Sequence, residues 1–177
     1  MRFTLATLVA SSAVTVLAQQ KTQDLTGLLN GNSNLTEYTT LLTSYRDLYA
    51  NLSFQHDITV LCPSNDAFQK IPYSTLGPAF TANDSGVIRS VLQYHVLPGL
   101  HPASSFNGSF LFESSWLENS TYTNVTGGQV VGGVQQAGNV NVFTSGLGSR
   151  STLVTPVSPQ APGRQTSPTL VNLMLLF

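Results

Sequence analysis

The chain has 177 residues, of which 41% are apolar and only 8% charged, with a net charge of −1. That length and apolar content suit one domain with a real core and exclude a disordered chain. The balanced charge, with no basic run, excludes a nucleic-acid surface of the electrostatic kind, and a lone cysteine excludes an internal disulfide. Ser and Thr supply much of the polar surface, a pattern common in secreted, wall-associated proteins.

Residues 1–18 read as a signal peptide: a positive start at Met1-Arg2, a mainly apolar stretch from Phe3 to Val16, and a small-x-small cleavage site at Val16-Leu17-Ala18. The alternative, a membrane anchor, needs a longer run than this one, which Ser and Thr interrupt. Cleavage leaves six basic and eight acidic residues, a net charge of −2. Residues 19–23 form a leader. Asp24 to Leu29 predicts a short capped helix ending at Asn30-Gly31. From Asn34 to Tyr49, Leu35, Tyr38, Leu41, Leu42, Tyr45, Leu48 and Tyr49 recur every three to four residues, so one amphipathic helix is expected. Asn34 and Glu37 are spaced as a capping box for it. Asn51 to His56 reads as a polar loop.

Asp57-Ile-Thr-Val-Leu-Cys-Pro-Ser-Asn-Asp-Ala-Phe68 is the most organised stretch. Ile58, Val60 and Cys62 alternate with Thr59 and Leu61 in a run of β-formers, which predicts a core strand with Cys62 buried in it. Pro63 ends the strand because it has no N–H for a ladder. Ser64 then caps a helical turn over Asn65, Asp66, Ala67 and Phe68. Ile71-Pro72 and Gly77-Pro78 mark a loop, and Asn83-Asp84-Ser85 caps a helix carrying Val87, Ile88, Val91 and Leu92. That helix is expected to run into Tyr94-His95-Val96-Leu97 before Pro98-Gly99 turns the chain.

Beyond Leu100, clusters of Gly, Asn, Ser and Thr separate β-rich runs at 120–126, 129–134, 140–144 and 151–155. Helices followed by strands give an α+β class. Four prolines within Pro156–Pro168 argue against a ladder strand there. Three readings of the segment 156–177 stay open. Leu170 to Phe177 supplies a late apolar strand, or the tail reflects a shifted frame or missed splice, or its small residues and apolar end form a lipid-anchor signal.

Together the Ile58–Phe68 stretch and the Tyr94-His95 segment with its Pro98-Gly99 turn resemble the paired signature of the fasciclin domain. The resemblance covers residues 24–155. It implies a wedge-shaped β-sandwich with helices packed on it, and a non-enzymatic role in adhesion or matrix organisation at the cell surface or cell wall, with a surface protein or glycan as partner. It also implies that Tyr94, His95 and Leu97 belong to a binding surface, while Asp57, Pro63, Ser64, Asn65, Asp66 and Phe68 build the structural motif. The segment after Pro156 departs from the family, whose domains close with a His-containing strand.

The residues themselves offer little chemistry. No Gly-x-Ser-x-Gly elbow and no His-Glu-x-x-His is present, and His95 and His101 have no recognised ligand spacing. His56 and Asp57 are neighbours that would point to opposite strand faces. Gly127, Gly128 and Gly132 lie among strands and read as turn glycines. No cofactor or metal is expected. For His95 the residue-level reading is a buried imidazole bonded to Ser64 or Asn65, pinning the two signatures together. Trp116, Phe110 and Phe112 read as core, with a second contact patch as the alternative. In a secreted chain, sequons at Asn34, Asn51, Asn83, Asn107, Asn119 and Asn124 are N-glycosylation candidates. The alternatives to adhesion are a lipid carrier with a cleft beneath the wedge, and a secreted hydrolase.

Overall fold

The computed structural model describes residues 25–106, 109–136, 140–145, 150–157 and 169–174. The expected signal peptide, leader, Asp24 cap, Asn107 sequon and most of the Pro-rich segment lie outside them. Among the described helices are α1 (Leu25–Asn30), α2 (Thr36–Ser44), α3 (Arg46–Phe54), α4 (Asn65–Phe68), α5 (Gly77–Thr81) and α6 (Ser85–Tyr94). The strands are β1 (Ile58–Pro63), β2 (Val96–Pro98), β3 (Leu111–Ser114), β4 (Val130–Gln136), β5 (Val140–Ser145), β6 (Arg150–Val157) and β7 (Thr169–Met174). The class is α+β, as expected.

The single helix expected over 34–49 is two helices that together reach Phe54, so the 51–56 loop is mostly helical. Tyr45 leaves the helical region at φ −95°, ψ 71°. Just before it, Thr43 Oγ1 donates back to the Thr39 carbonyl at 2.8 Å and Ser44 Oγ to the Leu41 carbonyl at 2.6 Å. Such back-bonding competes for helix carbonyls and bends helices. The break also has a packing reason. A straight helix of this length would run roughly 28 Å, whereas the bend keeps Tyr38 and Leu42 from α2 and Leu48 and Leu52 from α3 in one core.

The strands join in one ladder, ordered β2-β1-β7-β6-β5-β4-β3. Its ends meet: the Trp116 amide, just past β3, donates to the Val96 carbonyl in β2 at 3.0 Å. One core cluster likewise joins Leu61 and Leu97 from β1 and β2 to Val131 and Phe143 from β4 and β5. The sheet therefore closes over its own core as a sandwich, with the helices on the outer face of β1.

Two expectations about the later strands change. Residues 120–126 form turns instead of a strand: the Asn119 carbonyl accepts from the amides of Tyr122 and Thr123, at 2.9 and 3.0 Å. Pro156 does sit in a ladder, opposite Val171 in β7, after a register shift between Leu153 and Pro156. The shift falls just before this residue, which has no N–H to give the ladder. Of the readings left open for the tail, the strand is realised: β7 pairs parallel with β1 and antiparallel with β6, so the sheet extends past residue 155.

Candidate functional site

All six residues of β1 are buried, because ladders flank it on both sides and cores cover both faces. Asp57 enters the strand at φ 58°, and its carbonyl accepts from the Gly99 amide at 2.8 Å. Pro63 ends the strand, and Ser64 Oγ accepts from the Ala67 amide at 3.4 Å, capping α4 as its side chain suggested. Asn65 does something no local pattern showed. Its Oδ1 accepts from the Glu37 amide at 3.1 Å, while Nδ2 donates to the Ser33 carbonyl at 3.1 Å and Thr36 Oγ1 at 3.0 Å. Asn65 thus caps α2 from across the fold, and the capping box read at Asn34 and Glu37 does not form. Asn32 instead takes the Asn34 amide, at 3.0 Å. Asp66 is exposed, and Phe68 packs half-buried against the helix-side core.

The second motif begins where α6, capped by Asp84 Oδ1, ends at Tyr94. His95 closes the helix with its ring folded back. Nδ1 lies 2.6 Å from the Val91 carbonyl, which can only accept, so Nδ1 carries the proton. The link between the motifs is backbone: the Leu61 amide donates to the His95 carbonyl at 2.7 Å. The expected imidazole bond to Ser64 or Asn65 does not form, because those side chains are committed to helix caps. Burial pushes the His95 pKa down to about 4. Thr59 Oγ1, also buried, donates to the Gly99 carbonyl at 2.9 Å and accepts from the His101 amide at 2.8 Å, fixing the turn after β2.

The Tyr94-His95-Leu97 trio consequently faces inward. Leu97 is 1% exposed and His95 2%. Leu97 as a surface anchor is therefore corrected: it alternates into the sandwich core with Leu61 and Phe106. Tyr94 is half-buried, packs on the same core, and donates its hydroxyl to the Val130 carbonyl at 3.4 Å. Its ring meets that of His95 edge-on.

Exposed aromatics lie elsewhere, Phe54 and Tyr73 singly and Phe110 and Phe112 as a stacked pair. Phe110 and Phe112 are 56% and 66% exposed, correcting their reading as core, while Trp116 does pack against the helix-side core. Their rings are nearly parallel, 14° apart with centroids at 5.7 Å. Phe112 rests against Gly132 on β4, where a Cβ would lie 3.0 Å from its ring. Phe112 on β3 and Phe110 just before it thus present a flat aromatic shelf. Among the sequons, Asn51, Asn83, Asn119 and Asn124 are exposed and Asn34 is half-buried.

Burial raises the Cys62 thiol far above its ordinary pKa, which leaves it unreactive. Among the described residues no group of three or more His, Cys, Asp or Glu side chains could hold a metal. The cavity between α2, α4, α5 and α6 measures about 10 Å³, whereas small-molecule pockets run to roughly 300–1,000 Å³. That cavity has no room for an acyl chain.

The fasciclin domain model matches residues 33–160, most of the chain. The chain belongs to the fasciclin domain family. This fasciclin domain is 26% identical over 150 residues to a fasciclin-like arabinogalactan protein of Arthroderma benhamiae, covering 84% of this chain and 34% of that protein. The chain thus spans about a third of that relative's length. Its fold is similar to the FAS1 domain pair of the insect cell adhesion molecule Fasciclin I, with a TM-score of 0.56 and 11% identity, over 82% of this chain and 46% of the other. The family is associated with cell adhesion and extracellular proteins, and no catalytic family is indicated.

Proposed function

We propose that this fasciclin domain is a secreted, N-glycosylated adhesion or matrix-organising module of the cell surface or cell wall that binds without catalysis. The contact surface is the Phe110–Phe112 shelf, and the Tyr94-His95 motif builds the domain that carries it. The observation behind this reading is that two large aromatic rings stand exposed and nearly parallel at the start of β3 while His95 and Leu97 of the second motif are buried. Exposed aromatics bury large areas at little entropic cost and stack against sugar rings or apolar protein surface. The exposed sequons would keep the surrounding surface hydrated.

The test is binding of beads coated with the domain to cells and isolated walls. Saturable binding should fall at least tenfold in the double variant Phe110→Ser/Phe112→Ser, with its circular dichroism spectrum unchanged. Undiminished binding by that folded variant would remove the shelf from the mechanism. Binding lost only on enzymatic deglycosylation would move it to the glycans.

A further inference from the structure

Two residues with buried, unpartnered polar atoms line one cavity. Tyr38 Oη and His95 Nε2 each expose less than 1 Å² and have no hydrogen-bond partner in the protein. Both residues line the cavity of about 10 Å³, whose remaining wall is apolar, including Leu41, Phe68, Phe80 and Val91. A buried hydroxyl or imidazole nitrogen left unpaired is costly, and native interiors rarely leave two together. A volume near 10 Å³ accommodates about one water, provided the wall offers it polar partners.

The donor and acceptor pattern is complementary. Because Nδ1 donates to the Val91 carbonyl, Nε2 of the neutral ring is an acceptor. Burial raises the Tyr38 pKa, so its hydroxyl keeps its proton and can donate. A molecule that accepts from the phenol and donates to the imidazole satisfies both, and water does this with one lone pair and one hydrogen.

We propose that this cavity is a binding site for a single structural water, which accepts from Tyr38 Oη and donates to His95 Nε2. The water links α2 to the residue that caps α6, and through the His95 carbonyl to β1. The tyrosine and histidine are thereby two ends of one polar bridge through an otherwise apolar core, a role distinct from any surface contact.

A high-resolution crystal structure at neutral pH should show one ordered water within hydrogen-bond distance of both atoms. A dry cavity, or a direct Tyr38–His95 hydrogen bond, would overturn the proposal. Tyr38→Phe gives an independent reading by its sign. Removing the hydroxyl from a bridged water should lower the denaturant midpoint and shift the His95 Nε2 nitrogen resonance. A raised midpoint would mean that the hydroxyl was unpaired and the bridge absent. Should that variant not fold, magnetisation transfer from long-lived internal water to His95 in the unaltered protein decides: its detection supports the bridge and its absence refutes it.

Discussion

On one face of β1, Ile58, Val60 and Cys62 meet helices α1 to α3; on the other, Leu61 meets Phe106, Val131 and Phe143. The helix-side core keeps Tyr38 and His95 buried among its apolar groups and has a small cavity beside them. The sandwich core is closed by aromatic contact, with Phe106 and Phe143 packed edge to face at a centroid distance of 4.9 Å. Gly133 completes it, since a Cβ there would lie 2.6 Å from the Phe106 ring and 3.2 Å from that of Phe143. One strand thus divides a core that tolerates polarity and titrates from one that is sensitive to a single added carbon.

Acid should separate the two faces most strongly. His95 binds its proton at about pH 4 in the folded protein and near 6.5 once unfolded. Between those values the unfolded state takes up more protons, so this stability is complete above pH 6.5 and is lost as pH falls towards 4. A shift of that size corresponds to about 3 kcal/mol. The titratable groups about the cavity, Tyr38 and nearby Cys62, are neutral and offer the imidazolium no counter-charge. Urea midpoints measured from pH 7.5 to 4 should fall steeply, and much less in His95→Gln. Identical slopes for both proteins would show that the loss arises elsewhere.

Breaking the other face requires volume instead of charge. Gly133→Ala should cost about 2 kcal/mol through overpacking against the two phenylalanines, at every pH, read as a parallel drop in the urea midpoint. Next in size is the remote cap. Asn65→Ala should cost about 1–2 kcal/mol by stranding the Glu37 amide, whereas Asn34→Ala in unglycosylated protein should cost under about 0.5 kcal/mol. Equal losses in thermal melts would restore Asn34 as the cap. The smallest effect belongs to the surface: Phe112→Ser should change stability by less than about 0.5 kcal/mol while lowering binding of the coated beads, by less than the double variant does.

What the sequence made legible was local. Ile58 to Cys62 announced a buried strand, and Ser64 and Asp84 announced caps, because each signal depends on residues within one turn of the effect. The break at Tyr45 was hidden by an apolar period that runs through both helices. Asn65 could not be recognised as the cap of α2, since its partner Glu37 lies 28 residues earlier. The sequence points to a buried His95 but not to its partner, since Nδ1 turns back to the Val91 carbonyl of the preceding helical turn while Nε2 finds no partner in the protein. The β-formers in 120–126 were overruled by Asn119, whose side chain and carbonyl both fold the segment into turns. Phe110 and Phe112 look like core by composition; only the seating of Phe112 over Gly132, with Phe110 stacked on it, reveals a shelf.

The position of β7 has a consequence for biosynthesis. Thr169–Met174 is the last strand in the described chain, yet it lies between β1 and β6, paired with Thr59–Pro63 about 110 residues earlier. Pairing at such separation is slow, because the entropy of closing the intervening loop is lost before the contacts form. A ribosome that has released β1 to β6 therefore presents two half-sheets with unpaired inner edges, the kind of surface that templates association between chains. Maturation hinges on the arrival of this one segment, and a chain interrupted before residue 169 should accumulate as aggregate even though both sequence signatures are intact.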